Sequence, residues 1–445
     1  MESIDKNTVA KNADLISKGS ITCSDLADHS VKAIESSDAN IRAWEHFDAQ
    51  AAMKQAALID DVLKREELPG SLQGIPIGVK DIFDTVDFPT TKGTAIHAAR
   101  QPDKDCHVIE KLKAANALII GKTVTTEFAF LHPSKTRNPH NQRYSPGGSS
   151  SGSAAAVAAG HVPLAVGSQT GGSVIRPASF CGVYGYKPTR GLVSRRGVLE
   201  TSTTLDHVGF FANQLEDMAA ITDAVCGYDP EDSASYQQPA PEILSTFHRE
   251  PPHTPSVVWL DMPYKDRYSD NAATVFEKLI SELGSKLHRI SAPAEFEQYL
   301  KAHKTIYDYE IFRALDYEIQ QHWDKISPTA QPIFAAARDC TEKQYRDALE
   351  TRQSALEWFD NFYTRYDAIL TPSAVSIAPL MGSTGDSICC ITWTLCGLPC
   401  INLPILTGEN NLPIGVQVIG ANRKDGTLFQ TARYIEQLVT KSSQA

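Results

Sequence analysis

The chain has 445 residues, of which 42% are hydrophobic and 21% are charged, and its net charge at pH 7 is −11. This composition is typical of globular proteins, so extensive disorder is not expected, and the length allows one large domain or two to three ordinary ones. The negative charge and the lack of a long Lys/Arg block argue against a nucleic-acid-binding surface.

The termini and the cysteines of the chain indicate a cytoplasmic protein that does not span a membrane. Residues 1–13 carry charges and lack the apolar region of a secretory signal. Nine cysteines at irregular spacings do not resemble a disulfide framework. Residues 387–408 carry no charge, but Gly397 and Pro399 interrupt them, so they predict a buried helix, a turn and a buried strand rather than a membrane span.

The first half of the chain alternates predicted helices and strands. Residues 1–65 show apolar residues at helical spacing, with Ser24 as an expected N-cap. The elements predicted next are a helix at 48–64 that ends before Pro69, a strand at 75–82, a helix at 107–115 and a strand at 117–121. This alternation indicates an α/β architecture.

A polar, turn-rich stretch at 139–153 precedes a short helix at 154–159, with Ser151 or Ser153 as its cap and Gly160 as its end. Later elements are helices at 305–326, 341–366 and 427–438 and strands at 368–370, 401–406 and 414–419. Late strands resemble early ones, so we predict one domain over residues 1–445. Its expected parts are a helical N-terminal region (1–65), a motif-bearing core (66–225), a variable substrate-side segment (229–366) and a C-terminal core (367–440).

Lys80 is the first residue with a chemical implication. It lies in the predicted strand at 75–82, on the same face as Pro76 and Gly78, whose small size permits another backbone to approach. A lysine in dry surroundings has a lowered pKa because desolvation disfavours the ammonium, and its neutral amine can act as a base. Taken alone, a lysine at a strand end with its head group in water is the commoner case.

Ser173 follows the residues Thr170-Gly171-Gly172. Two glycines allow backbone conformations that are closed to other residues, so consecutive N–H groups can converge on one point. An oxyanion hole requires such a nest, and a serine behind it is placed to attack the carbonyl whose oxygen occupies the nest. An ordinary Gly-Gly-Ser turn is the alternative interpretation.

The loop around Ser149 admits three interpretations. A flexible linker is one, although linkers do not run straight into a capped alanine-rich helix. A GxSxG nucleophile elbow with Ser150 as nucleophile is another, but it requires a strand immediately before it, and residues 138–146 do not read as a strand. The third interpretation rests on a resemblance to a known family.

Several motifs occur in the order and spacing of the amidase signature family. They are residues 74–81 (GIPIGVKD), 145–150 (SPGGSS), 170–173 (TGGS), 181–189 (CGVYGYKPT), 397–399 (GLP) and 412–417 (LPIGVQ). The chain resembles this family from about Ala43 to Leu438, and least between residues 228 and 366. The resemblance implies an α/β fold with a large mixed β-sheet covered by α-helices on both faces.

The resemblance also implies a catalytic triad for amide hydrolysis. Ser173 matches the nucleophile, Ser149 the bridging serine whose preceding peptide bond is typically cis, and Lys80 the terminal base. The Ser173 proton would pass through Ser149 to neutral Lys80, and a proton would return by the same route to the leaving amine. Water would then hydrolyse the acyl-enzyme. The implied oxyanion hole consists of the N–H groups of Thr170, Gly171, Gly172 and Ser173. The resemblance implies no metal and no other cofactor.

The residues around the nucleophile depart from the commonest family pattern. Many members carry Asp-Thr-Gly-Gly-Ser-Ile-Arg, whereas residues 169–176 read QTGGSVIR and place Arg176 three residues after the nucleophile. This variant resembles malonamidase-type enzymes, in which the corresponding arginine holds a substrate carboxylate, and a planar guanidinium suits that task. Pairing of Arg176 with an internal Asp or Glu is the alternative. Tyr144 and Gln169 are the other residues predicted to bind substrate.

The sequence therefore predicts an amidohydrolase that acts on a small linear amide or ureide, with an anionic end as a further hypothesis. The expected partners are the small-molecule substrate and water, and a homodimer is common in similar proteins. The first alternative is the glutaminase-type subunit of a tRNA-dependent amidotransferase, against which Gln169 and the displaced Arg176 count. The second is a non-catalytic binding or scaffold protein with the same fold.

Overall fold

Helices and strands alternate along the described part of the chain. The computed structural model describes residues 8–65, 70–239 and 241–442. Its strands are β1 (Trp44–Phe47), β2 (Pro76–Lys80), β3 (Leu118–Thr123), β4 (Leu164–Gln169), β5 (Tyr184–Lys187), β6 (His207–Ala212), β7 (Val257–Asp261), β8 (Leu287–Ser291), β9 (Ala368–Pro372), β10 (Cys400–Thr407) and β11 (Pro413–Gly420).

Fifteen α-helices accompany these strands in the described residues. They are α1 (Val9–Ser17), α2 (Cys23–Ile41), α3 (Ala49–Leu63), α4 (His107–Ala114), α5 (Ser151–Ala158), α6 (Ile175–Cys181), α7 (Leu215–Val225), α8 (Ile243–His248), α9 (Asp270–Leu283), α10 (Phe296–Ala314), α11 (Asp316–Gln321), α12 (Gln331–Ala337), α13 (Glu342–Phe362), α14 (Ile388–Leu395) and α15 (Asp425–Ser442).

Strands from both halves of the chain form one mixed sheet. The order across it is β1-β3-β2-β4-β6-β5-β10-β11-β9-β7-β8. The pairs β3–β2, β2–β4, β9–β7 and β7–β8 are parallel, and the six pairs between the other neighbours are antiparallel. The predicted α/β class with a large mixed sheet is confirmed.

Both faces of the sheet are buried under helices. Successive side chains of a strand point to opposite faces, and in β7 the residues Val257 and Trp259 join one apolar cluster whereas Val258 and Leu260 join another. A strand buried on both faces is a near-continuous apolar run. The prediction of helices on both faces is therefore also confirmed.

Two predicted helix caps differ from the structure. Thr22, not Ser24, is the N-cap of α2: its side chain accepts from the N–H of Asp25, whose carboxylate accepts from the Thr22 N–H, while the Ser24 hydroxyl donates to Asp60. Helix α5 begins at Ser151, so Ser151 and Ser153 lie inside it. The Ser153 hydroxyl instead donates to the Val166 carbonyl at 2.8 Å, which ties α5 to β4.

Other predicted boundaries shift by a few residues. The helix predicted at 305–326 is two helices, α10 and α11. The helix predicted at 48–64 is α3, which ends at Leu63, while Pro69 lies outside the described residues. Residues 387–408 form α14, a turn and β10, as predicted. In the described ranges, no helix combines the length and the apolar composition needed to cross a bilayer.

The central parallel strands place the site. Strands β2 and β4 are parallel neighbours, so Lys80 at the end of β2 and Gln169 at the end of β4 come to the same edge of the sheet. The chain leaves β4 directly into the nucleophile loop, which we define as residues 170–173, and then enters α6. Ligands of such sheets bind at the carboxyl ends of the strands, and the candidate residues lie there.

Candidate active site

Lys80 is completely buried and contacts two serines. Its Nζ lies 2.6 Å from Ser149 Oγ and 2.8 Å from Ser168 Oγ. Burial lowers the pKa of Lys80 well below its usual value of 10.5, and the negative charge of Asp206 opposes this shift in part. The head group is therefore not in water, and the low pKa favours a neutral amine that can accept a proton.

The loop that carries Ser149 is fixed from several sides. The peptide bond between Gly148 and Ser149 is cis, as predicted from the resemblance, and Gly147 has a φ of +84°, which favours glycine. The Ser149 carbonyl accepts from the N–H of Thr126 at 3.2 Å. The Gly148 carbonyl accepts from Nη2 of Arg176 at 2.7 Å.

The three peptide groups from Thr170 to Ser173 have bound carbonyl oxygens and free N–H groups among the described residues. The carbonyls of Thr170, Gly171 and Gly172 are bound, respectively, to His303 Nε2 at 2.8 Å, the Thr394 hydroxyl at 2.8 Å and the Arg176 N–H at 3.0 Å. In the described part of the chain, the N–H groups of Gly171, Gly172 and Ser173 donate no hydrogen bond. Three consecutive free donors beside a serine match the requirements of an oxyanion hole.

Of the two glycines in this loop, Gly172 is needed for space rather than for an unusual dihedral angle, whereas a Cβ on Gly171 would make only ordinary contacts, the nearest at 3.7 Å. Neither Gly171 nor Gly172 has a positive φ. A Cβ on Gly172 would lie 3.1 Å from Cys390 Sγ and 3.1 Å from Ser387 Cβ, which is tighter than an ordinary contact. Helix α14 therefore packs directly on the nucleophile loop, and a larger residue at 172 would push the two apart.

Gln169 was predicted to bind substrate, but the structure places it behind the loop. Its side chain is 1% exposed, its Oε1 accepts from the N–H groups of Val174 and Ile175 at 2.9 and 3.0 Å, and its Nε2 donates to Thr394 at 3.0 Å. An amide suits this position because it accepts and donates at once. Gln169 thus satisfies the first N–H groups of α6 and holds the loop against α14.

Ser173 faces a cavity of about 520 Å³. Its hydroxyl makes no hydrogen bond with any described residue, whereas Lys80 and Ser149 are already in contact. The cavity walls are mostly apolar. They are formed by residues of α10, α12 and α14 and by residues 129–131. Two ion pairs, Arg267–Asp386 and Lys304–Asp308, also lie on its wall.

Arg176 lines the same cavity and has no carboxylate partner among the described residues. Its side chain is buried, and apart from the bond from Nη2 to Gly148 its Nε and Nη1 have no hydrogen-bond partner in this part of the chain. Burial lowers the pKa of Arg176, and the negative charge of Asp386 opposes that shift. Pairing with an internal Asp or Glu, the alternative considered from the sequence, is not observed.

Tyr144 was also predicted to bind substrate, and the structure places it elsewhere. Its ring packs with Phe180 and Ala374 in a small apolar cluster, its backbone bridges to Leu380, and its phenol oxygen accepts from Asn410 at 3.2 Å. It is not among the residues that line the cavity. A turn-rich sequence context could not reveal that the ring points away from the nucleophile.

Sequence reasoning missed four residues that hold the site. Ser168 binds Lys80, Asp206 accepts from the Thr170 hydroxyl, and His303 and Thr394 bind loop carbonyls. The sequence could have indicated Ser168, because it is a polar residue in a buried strand, one position before Gln169. Asp206, His303 and Thr394 lie 36 to 224 positions from Thr170, so no local pattern connects them with the loop. Among the described residues, no three His, Cys, Asp or Glu side chains form a group that could hold a metal ion.

Comparisons with known proteins concern the family and the fold of the chain. The family model described as Amidase matches residues 25–429. A glutamyl-tRNA(Gln) amidotransferase subunit of Halalkalibacterium halodurans is 33% identical over 457 residues, which cover 94% of each chain. The corresponding subunit of Bacillus licheniformis is 33% identical over 468 residues, which cover 95% of each chain.

Solved structures show the same fold. A chain from a vestigial protein complex that reveals the evolutionary origins of an s-triazine catabolic enzyme has a TM-score of 0.91 at 26% identity, over 97% of this chain and 98% of that chain. Peptide amidase from Stenotrophomonas maltophilia has a TM-score of 0.83 at 24% identity over 96% of both chains, a likeness that concerns the fold alone. With its family model matched from residue 25 to residue 429, the chain belongs to the amidase signature family of amidohydrolases.

Proposed function

We propose that the protein hydrolyses the carbon–nitrogen bond of a small linear amide or ureide through a Ser173 acyl-enzyme. The observation that carries this proposal is the buried contact of 2.6 Å between Lys80 Nζ and Ser149 Oγ, next to a serine that opens onto a cavity. A neutral amine in this position is a base, and the bridging hydroxyl extends its reach towards Ser173.

The proposed reaction begins as Ser173 Oγ attacks the amide carbonyl carbon. The Ser173 proton moves to Ser149 Oγ, and the Ser149 proton moves to Lys80 Nζ. The tetrahedral intermediate then collapses, the carbon–nitrogen bond breaks, and the leaving nitrogen takes a proton from Lys80 through Ser149. Water repeats these steps on the ester and releases the acid and free Ser173. Hydrogen bonds of this kind often close only when substrate is bound, so the unbonded Ser173 hydroxyl is compatible with the relay.

The oxyanion of the intermediate would be bound by the nucleophile loop. The N–H groups of Gly171, Gly172 and Ser173 are free among the described residues, and that of Thr170 completes the predicted set. Because their carbonyls are bound from behind, these donors need little reorganisation when charge develops. Loss of one such donor typically costs about 3 kcal/mol of transition-state stabilisation.

We further propose that the substrate carries an anionic end near Arg176. A buried guanidinium with two nitrogens that lack partners among the described residues is costly unless a ligand satisfies it. Arg176 lines the cavity that Ser173 lines. A substrate carboxylate would supply the missing charge and hydrogen bonds.

The catalytic proposal is tested with Ser173→Ala. A fluorophosphonate should label the wild type and not the variant, because Ser173 Oγ is the attacking atom. Hydrolysis of small amides, carboxylated ureides and carbamates, scored by ammonia or amine release, should fall by about 10⁴-fold or more in the variant. Ser150→Ala serves as the matched control and should still be labelled. Absence of labelling in the wild type would favour the non-catalytic alternative.

The anionic end is tested with Arg176→Gln. The variant should raise KM at least tenfold for a substrate that bears a carboxylate and change KM less than twofold for its neutral amide analogue, since only the charged end meets the guanidinium. Arg267→Gln, which removes a cavity cation already paired with Asp386, is the control. Equal losses on both substrates would show that Arg176 acts through the Gly148 carbonyl instead.

A second candidate is the glutaminase-type subunit of a tRNA-dependent amidotransferase. The relatives from H. halodurans and B. licheniformis favour it, because each belongs to a glutamyl-tRNA(Gln) amidotransferase and matches nearly the whole chain. Against it stand Gln169 in place of the usual aspartate and the position of Arg176. Activity of the purified single chain would support the first proposal, whereas activity only with partner chains and tRNA would support the second. One domain over 1–445, a homodimer and a cytoplasmic location remain predictions.

A further inference from the structure

The carbonyls of Thr170, Gly171 and Gly172 in the nucleophile loop are held by different parts of the chain. The Gly172 carbonyl accepts from the N–H of Arg176 at the start of α6. The Gly171 carbonyl accepts from the hydroxyl of Thr394 in α14, and Gln169 donates to the same hydroxyl. The Thr170 carbonyl is bound by His303 of α10, in the segment that least resembles the family. We propose that His303 is a positioning residue that orients the peptide between Thr170 and Gly171 for oxyanion binding.

The direction of this hydrogen bond is fixed by its acceptor. A carbonyl oxygen can only accept, so His303 Nε2, 2.8 Å from the Thr170 oxygen, must carry a hydrogen. His303 is 4% exposed, and burial lowers its pKa to about 4. The ring is therefore neutral at pH 7, with its one hydrogen on Nε2 and Nδ1 unprotonated.

Holding the Thr170 carbonyl fixes the N–H of Gly171. The peptide bond between these residues is trans, so its C=O and N–H point in opposite directions within one plane. A carbonyl drawn towards α10 directs the Gly171 N–H away from α10, on the side of the loop where it is free to bind an oxyanion. Without the His303 bond, this peptide could rotate, because a glycine on one side of it offers little resistance.

Thr170 is also held through its side chain. The hydroxyl donates to Asp206, and the Asp206 carboxylate accepts from the N–H groups of Thr201 and Ser202 at 2.7 and 2.9 Å. The side chain of Thr170 is thus anchored on the β6 side and its carbonyl on the α10 side. With both ends fixed, a change at His303 acts on the orientation of the peptide plane rather than on the position of the whole loop.

Helix α10 also forms a wall of the cavity. Leu300, Lys304 and Tyr307 line it together with His303. Helix α10 would therefore both contact the substrate and orient the Gly171 N–H, one of the proposed oxyanion donors. This inference rests on the proposed function, and it adds a route by which the variable segment affects the chemical step as well as binding.

The test compares His303→Leu, His303→Gln and His303→Asn. Leucine removes the N–H donor, so kcat should fall roughly 10- to 100-fold, which is at most the effect of losing one oxyanion-hole donor. KM should change less than threefold. Glutamine can place an N–H near the position of Nε2 and should restore kcat to within about fivefold of the wild type. The amide of asparagine is too short to reach, so His303→Asn should resemble His303→Leu. The rate of fluorophosphonate labelling of Ser173 should follow kcat.

A packing control on the same helix separates positioning from stability. Ile306 is fully buried in α10 and does not line the cavity. Ile306→Val should lower the melting temperature slightly and leave kcat unchanged. If the leucine variant does not fold, the contrast between glutamine and asparagine still decides the matter.

Three results would overturn the inference: unchanged kcat in folded His303→Leu, equal losses in the glutamine and asparagine variants, or an effect confined to KM. Each of them leaves wild-type labelling of Ser173 intact. A wild type that fluorophosphonate does not label would instead refute the proposed function, so the two failures are distinguishable.

Discussion

At the scale of single residues, the charge that Lys80 would acquire in the proposed reaction needs a counter-charge. Lys80 contacts only hydroxyl groups, those of Ser149 and Ser168, among its described hydrogen-bond partners. Asp206 is the acid whose charge raises the Lys80 pKa against the effect of burial. A space of about 10 Å³, enough for one water, lies between Ser168, Thr170 and Asp206. Asp206 thus stabilises the ammonium form without a direct contact to it.

We predict that Asp206→Asn shifts the pH dependence of the enzyme. Loss of the negative charge lowers the Lys80 pKa further, and Lys80 is active when neutral, so the acidic limb of kcat/KM should move to lower pH. The maximal kcat should fall about tenfold or more, because the transient ammonium is less well stabilised. A profile of kcat/KM between pH 5 and 10 measures both effects.

Asp425→Asn is the matched control for this prediction. Asp425 is also buried and accepts from Tyr186 and Thr189, outside the cavity. Its replacement should leave the shape of the pH profile unchanged. An acidic limb of Asp206→Asn that stays in place or moves to higher pH would show that Lys80 does not sense this charge.

At the scale of elements, the sequence reveals those that carry local patterns. The strand around Lys80, α4, α13 and the α14–β10 pair were found close to their observed bounds because their apolar periodicity and breaking residues are local. Strand β1, which lies in the region predicted to be helical (1–65), and strands β4 to β8 were missed, since each is a run of four to six residues that neighbouring strands stabilise. The three residues of the proposed triad followed from motifs in β2, the Ser149 loop and the nucleophile loop.

The residues that support the site could not be found in this way. Gln169 was predicted to bind substrate, whereas its amide accepts from the N–H groups of Val174 and Ile175 at the start of α6 and donates to the Thr394 hydroxyl of α14. His303 meets the loop only because α10 crosses it. Contacts of this kind depend on tertiary packing, which one sequence without its fold does not display.

At the scale of the whole molecule, buried neutral histidines predict acid lability. The indole N–H of Trp44 donates to Nδ1 of His161 at 3.1 Å, so that nitrogen must be unprotonated, and the other nitrogen lies 2.7 Å from Ser37 Oγ. Burial lowers the pKa of His161 to about 4, as it does for His303. An unfolded histidine titrates near 6.5. Between these values the unfolded state binds more protons, so the free energy of unfolding falls as pH falls.

We predict that His161→Phe weakens this dependence. Each such histidine contributes a slope of ~1.4 kcal/mol per pH unit to the free energy of unfolding within that window. Urea unfolding of the variant between pH 6.5 and 4.5 should show a slope shallower by about this amount. Its stability at pH 7 should also be lower, because the Trp44 N–H loses its acceptor.

Ile34→Val is the control for acid lability. Ile34 belongs to the same apolar cluster as Trp44, so this variant loses stability through packing alone. Its stability should be reduced equally at all pH values. If His161→Phe and Ile34→Val showed the same pH slope as the wild type, His161 would not be a source of the acid lability.

The sheet order has a consequence for the enzyme during its synthesis. Lys80, Ser149 and Ser173 belong to the first 40% of the chain, and β2 and β4 are adjacent without any later strand. A nascent chain therefore carries all three residues of the proposed triad long before the ribosome has made His303, Thr394 and the strands from β9 to β11. Until then the loop carbonyls lack two of their three partners and the cavity lacks most of its walls. We therefore expect the proposed hydrolytic activity to arise only after β9 to β11 have been synthesised.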